Sequence, residues 1–163
     1  MTTGEDAIAI DTYAFYGCIK LRSVILPDRL GSFNSAAFEG CTALKSITVN
    51  ATNPMYKSEN GILYKKSSAD SDDFAELLFY PTALIIANNG IINNLPSTLV
   101  RIGGSAFSNN KGLYSITLPA SISSIEDSAF KNCSNLEEVI FLGATATEGA
   151  ATSLSIKQSA FEN

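Results

Sequence analysis

The chain has no histidine and no tryptophan in 163 residues. Losing histidine removes the commonest general base and the commonest metal ligand, which narrows both hydrolytic and metal chemistry. Basic residues number 11 against 16 acidic ones, for a net charge of −5, and they are thinly spread. The electrostatic footprint of a nucleic-acid binder is therefore missing. No apolar run approaches the ~20 residues of a membrane-spanning helix. The opening stretch MTTGEDAIAI has neither a basic head nor an apolar core. No export signal is legible there, so the expectation is either a cytoplasmic protein or a piece of a longer exported chain. The three cysteines are an odd number, which argues against a disulfide framework. No glycine-rich phosphate loop occurs.

What is present can build a core. Hydrophobic residues make up 45% of the chain, too many for a disordered segment, and the length suits one domain or a short stack of repeats. The stretch AFYGCIKL at 14–21 returns as AFEGCTAL at 37–44 and AFKNCSNL at 129–136. A catalytic motif needs to occur once, whereas recurrence at fixed intervals builds a lattice. The phenylalanines of the Ala-Phe pairs are Phe15, Phe38, Phe107, Phe130 and Phe161, with gaps of 23, 69, 23 and 31. The unit is 23 residues. The gap of 69 equals three units without reading as simple repeats, and the last gap is one unit plus eight residues.

Aligned on phenylalanine, other positions form columns. Five residues before it stand Ile10, Phe33, Ile102, Ile125 and Ile156. Three after stand Cys18, Cys41, Asn110 and Cys133. Leu21, Leu44, Leu113 and Leu136 follow at six, Val24, Ile47, Ile116 and Val139 at nine, and Leu26, Val49, Leu118 and Phe141 at eleven. A unit this short cannot bury its own apolar face, but stacked units can share a continuous core. In LKSITVN at 44–50 the two-residue alternation turns Leu44, Ile47 and Val49 inward and Ser46 and Thr48 outward. Strands of successive coils should pair in parallel. The Ile-to-Cys arm should return opposite them as a tight turn or single helical turn. The expected fold is an α/β, β-rich solenoid of parallel strands. Cysteine fits this scheme as a small filler whose S–H can donate to a backbone carbonyl of the neighbouring coil, and Asn110 as a residue that satisfies turn backbone in the same place. A thiolate metal cluster is the competing reading, but the usual close cysteine pairs are absent.

Residues 50–83 interrupt the pattern. GILYKK and AELLFYP are β-prone runs separated by the polar SSADSDD, which predicts a β-hairpin inserted into, or replacing, a coil. Asp70, Asp72, Asp73 and Glu76 raise a calcium hypothesis, but their spacing completes no known loop and a solvated hairpin tip accounts for them. Gly103 and Gly104 suggest a backbone position with positive φ. GATATEGAAT, inside the 31-residue gap, reads as a loop outside the coil. Residues 1–163 read as one domain. No terminal cap is evident, so the expectation is a fragment of a longer array, with self-association through uncapped ends as a further option.

The repeated AFxxCxxLxxIxLP and the inserted NPMYKSENGILYKK…LLFYPTAL resemble the BspA-type, or treponemal-type, leucine-rich repeats over nearly the whole chain. The resemblance implies a right-handed leucine-rich-repeat solenoid. It implies a surface or secreted protein of anaerobic bacteria or mucosal protozoa, associated with adhesion to host matrix proteins and with cell aggregation. It carries over no catalytic residue, cofactor or metal. Asn110 in place of cysteine and the missing export signal are departures from the family pattern.

Catalytic readings find little support. No histidine base serves a serine nucleophile, and nothing positions a Ser–Lys pair. Glu137 and Glu138 are adjacent on an expected strand, so they should face opposite sides rather than act as paired carboxylates. The sequons at Asn50 and Asn132 matter only in a eukaryotic secretory route. Binding fits better, because a solenoid offers one variable set of outward side chains per coil. The candidate partner-binding face is Arg22, Ser23 and Ile25, then Lys45, Ser46 and Thr48, then Tyr114, Ser115 and Thr117, then Glu138 and Ile140. Ile25 and Ile140 are apolar where solvent is expected. The favoured function is a protein-binding adhesion module with a protein partner, host extracellular matrix among the candidates. No nucleic acid, membrane span, cofactor or metal is expected. The alternatives are a structural spacer of a larger surface protein and a glycan-binding or hydrolytic domain.

Overall fold

The computed structural model describes residues 7–143 and 154–162. In chain order its elements are β1 (Ile8–Ile10), β2 (Ser23–Leu26), β3 (Leu30–Phe33), a 3-10 turn (Ser35–Phe38), β4 (Ser46–Val49), β5 (Tyr56–Glu59), β6 (Ile62–Lys65), β7 (Glu76–Phe79), α1 (Thr82–Ala87), β8 (Ile91–Ile92), β9 (Arg101–Ile102), β10 (Ser115–Leu118), β11 (Ser124–Ile125), β12 (Glu138–Phe141) and β13 (Ser155–Ile156). These wind into a solenoid with parallel stacked strands and little helix.

One face is made by the strands read from the sequence. β2 pairs in parallel with β4, placing Val24 opposite Ile47 and Leu26 opposite Val49. β8, β10 and β12 form a second parallel group, with Ile116 opposite Val139 and Leu118 opposite Phe141. Leu44, Ile47, Leu113, Ile116 and Leu118 have no exposed surface. A second sheet runs along the opposite side. There β7, β9, β11 and β13 pair in parallel, so Leu77, Ile102, Ile125 and Ile156 follow one another. The isoleucine column thus belongs to strands rather than to the turn. These strands are too short, at two residues for β9, β11 and β13, for period-2 alternation to reveal them.

The aromatic rings form a ladder between the sheets. Phe15 stacks on Phe38 at 4.9 Å, Phe107 on Phe130 at 5.0 Å and Phe130 on Phe161 at 4.9 Å. The gap from Phe38 to Phe107 is bridged by two rings from the interruption. Phe79 meets Phe38 at 5.7 Å and Tyr80 meets Phe107 at 5.4 Å. The residues between Phe38 and Phe107 therefore add one coil to the ladder, where a gap of three units would add two. That coil is β7, α1 and β8.

The remaining residues form the insertion. β6 pairs antiparallel with β7, as the sequence suggests, and β5 adds a third antiparallel strand. The β5–β6 connection is Asn60-Gly61, both at positive φ (52° and 83°). Two such residues make a type I′ turn, whose twist matches that of the flanking strands. The Tyr56 hydroxyl reaches the Gly31 carbonyl at 3.4 Å and Leu63 is fully buried with Phe38, so the insertion closes the core between the second and third coils. The buried Ser35 hydroxyl donates to the Leu78 carbonyl at 2.6 Å across the same seam. In α1, Pro81 at the N-cap holds φ at −62°, and Asn89 and Gly90, both at positive φ, end the helix. At six residues TALIIA is too short to hold a helix alone, and burial of Ile85 fixes it.

Two expectations need correction. Gly103 and Gly104 do not have positive φ; the adjacent Ser105 does, at 58°. Gly103 is needed for close approach, because a Cβ there would stand 2.8 Å from the Leu77 carbonyl oxygen. Asn110 is buried as expected, but its side-chain oxygen has no hydrogen-bond partner. The loop read at GATATEGAAT lies outside the described residues apart from Gly143.

Candidate functional site: the strand face

Each front strand presents three outward positions, at seven, eight and ten residues after the ladder aromatic. The first holds Arg22, Lys45, Tyr114 and Glu137. The second holds Ser23, Ser46, Ser115 and Glu138. The third holds Ile25, Thr48, Thr117 and Ile140. All are exposed or half-buried, while the positions between them carry the core. Pairing aligns Ser23 with Ser46 and Ile25 with Thr48 in one group, and Ser115 with Glu138 and Thr117 with Ile140 in the other.

The expected face residues therefore fall into two groups, because the insertion separates β4 from β8. The β5–β6 turn sits between them, with Gly61 accepting from the Ile47 N–H at 2.9 Å. Ile25 is 82% exposed, so no part of the insertion covers it. Glu137 does not face away from Glu138. It precedes β12, where alternation has not begun, and both carboxylates line one cleft with Asn89, Ile91, Tyr114 and Ser115. This cleft has a volume of about 350 Å³. Glu138 Oε2 accepts from the Ser115 hydroxyl at 3.1 Å. Ile91, half exposed and paired with Ser115, belongs to the face. Its coil lacks the Ala-Phe motif, so the repeat alignment could not find it.

The cysteine column is structural where a coil precedes it. Cys41 Sγ donates to the Phe15 carbonyl at 3.1 Å and Cys133 Sγ to the Phe107 carbonyl at 3.0 Å. Burial pushes the Cys41 thiol up and the Cys133 thiol up to about 11, opposed in each case by the backbone N–H of the column residue one coil earlier, Cys18 or Asn110. Cys18 is exposed. A further column went unread. The residue just before the cysteine position is Gly17, Gly40, Asn109 or Asn132, always at positive φ. Glycine and asparagine share that backbone region, which a search for one residue type overlooks. Asn132 Nδ2 donates to Asn109 Oδ1 at 2.8 Å and Asn109 Nδ2 to Glu39, so the second sequon asparagine is engaged in a side-chain ladder.

The acidic tip is occupied internally. Asp72 pairs with Lys57 at 2.8 Å, and Asp73 accepts from the Ser67 N–H at 2.9 Å. Glu76 points instead toward Arg101, 3.9 Å away. Among the described residues no three His, Cys, Asp or Glu side chains converge as a metal site, and no helix is long and apolar enough to cross a membrane.

Two opposed faces of parallel-stacked strands, an inward aromatic ladder and an outward variable strand face define a leucine-rich-repeat solenoid. The chain belongs to the BspA type leucine-rich repeat family, whose profile matches residues 2–78 and 89–163 in six copies. Its fold is similar to that of a leucine-rich cell-surface protein from Faecalibacterium prausnitzii, at 28% identity and a TM-score of 0.62, covering 82% of this chain and 32% of that one. It is also similar to the pneumococcal vaccine antigen PcpA, at 24% identity and a TM-score of 0.60, covering 74% of this chain and 27% of that one. A leucine-rich repeat protein from Eubacterium ventriosum shares the fold at 20% identity and a TM-score of 0.54, covering 74% of this chain and 36% of that one. The chain thus spans about a third of the length of these relatives or less. No curated protein matches it.

Proposed function

We propose that this chain is a non-enzymatic protein-binding module of a bacterial cell-surface protein, and that its strand face holds the partner. One observation carries this reading. The inward columns repeat one kind of residue from coil to coil, while the outward positions run from Arg to Tyr to Glu and from Ser to Ile, all open to solvent or half so. A scaffold kept constant inside and varied outside is what a recognition surface requires. Family membership and the cell-surface relative support placement at the cell surface.

The experiment is capture of purified extracellular-matrix proteins on a biosensor. Ile25→Asp, Tyr114→Ala and Ile140→Asp are compared with Lys131→Ala, an exposed position away from the strand face. Loss of capture in the face variants alone supports the proposal. Capture unaffected by all three removes the strand face as the binding surface. Absence of any capture favours a spacer, and turnover of a glycan or peptide library favours a hydrolytic domain.

A further inference from the structure

The strand face is charged in two opposite halves. Arg22 and Lys45 are exposed at the β2–β4 end, and neither forms an ion pair among the described residues. Glu137 and Glu138 are exposed at the β12 end and are likewise without a cationic partner there. Arg22, Lys45, Tyr114 and Glu137 occupy the same position of their coils, so opposite charges mark the two ends of one line across the strands. The outward strand positions between those ends are uncharged and partly apolar, with the exposed Glu59 at the β5–β6 turn that separates the two groups. Ile91 is 50% exposed and Tyr114 45% exposed.

This layout complements itself. A half-turn about an axis through the middle of the line lays the acidic end of one copy over the basic end of another. It sets Ile91 of β8 against its own copy near the axis, and Tyr114 before β10 against Lys45 before β4. Each contact is then made twice, as a two-fold interface requires. A different protein would have to carry the same charge order in reverse, whereas a second copy supplies it by symmetry.

We infer that the strand face docks a second copy of this chain, antiparallel across the strands, with Arg22 of each copy facing Glu137 and Glu138 of the other and Lys45 of each facing Tyr114 of the other. The inference rests on the strand face being the binding face and names one partner for it. At about 4.8 Å per strand the face is about 25 Å across, the scale of a small reversible interface rather than an obligate one. Its charges lie at a solvated rim, so salt weakens the association.

The test is sedimentation equilibrium of the 163-residue chain from low to high concentration, at low and at high salt. A dimer that weakens about tenfold or more with added salt is expected. The variants Arg22→Glu/Lys45→Glu and Glu137→Lys/Glu138→Lys should each be monomeric alone, because each places like charges opposite one another. Mixed, they should form a one-to-one heterodimer, because the reversed ends are again complementary. Circular dichroism checks that both variants stay folded. A wild-type chain that remains monomeric at every concentration overturns the inference, as does a dimer indifferent to both reversals or reversals that fail to rescue one another. If the monomer still captures a matrix protein through the face, only the self-docking inference falls. If face variants affect neither association nor capture, the binding-face reading falls with it.

Discussion

Replacing Phe107 by alanine removes the ring at the centre of the stack. Phe107 has no exposed surface and lies between Tyr80 at 5.4 Å and Phe130 at 5.0 Å. Losing roughly 100–120 Å² of buried apolar area costs about 3 kcal/mol at about 25 cal/mol per Å². The two ring pairs add about 0.5–1.5 kcal/mol each. The total lands at about 4–5 kcal/mol, within the range of about 3–5 kcal/mol seen for buried phenylalanine truncations. Phe15 provides the control. It is 37% exposed and stacks on one ring only, Phe38, so Phe15→Ala should cost about 1–2 kcal/mol. Urea unfolding followed by circular dichroism measures both. A loss below about 1 kcal/mol at Phe107, or equal losses at the two positions, would refute the shared-core account.

Three further predictions follow the same geometry. Ellman's reagent should modify Cys18 rapidly in the native protein, and Cys41 and Cys133 only on unfolding. With its pKa near 11, Cys133 is about one part in a thousand thiolate at pH 8, and three equally fast thiols would contradict the packing. Burial pushes the Glu76 carboxyl up despite Arg101 and Lys65, which oppose the shift, while Glu126 adds to it. The folded state then binds the proton more tightly than the unfolded state. Stability falls as pH rises from the ordinary glutamate value through the raised one. Glu76→Gln should gain on the wild type across that window; a difference in urea midpoint that is flat with pH would sink the assignment. Gly90 has φ of 75°, and a Cβ there would run into the Gly112 carbonyl oxygen. Gly90→Ala should therefore cost about 2 kcal/mol or more and lower the melting temperature, whereas an unchanged melting curve would show that the turn relaxes freely.

Much of the site was legible before the fold. Ser46, Thr48, Thr117 and Ile140 were placed outward by counting in twos from buried neighbours, and alternation holds inside a strand because successive side chains leave opposite faces. It failed for Glu137, which precedes its strand and shares the cleft with Glu138. Ile91 was missed because its coil replaces the Ala-Phe turn with α1. Asn60-Gly61 carries a strong local hairpin signal, but its first arm, YKSE, is too polar to read as a strand beside GILYKK.

The sequence alone determined the unit of 23 residues, the inward columns and the stacking of coils, since a short apolar repeat can be buried only against its own kind. The tertiary structure alone decided how the 69-residue gap is spent. It folds one coil and inserts β5 and β6, with Phe79 and Tyr80 completing the ladder. It also decided that TALIIA is helical and that two-residue segments pair as strands. These choices depend on which distant groups satisfy the backbone and fill the core, and local residue preference carries no record of that.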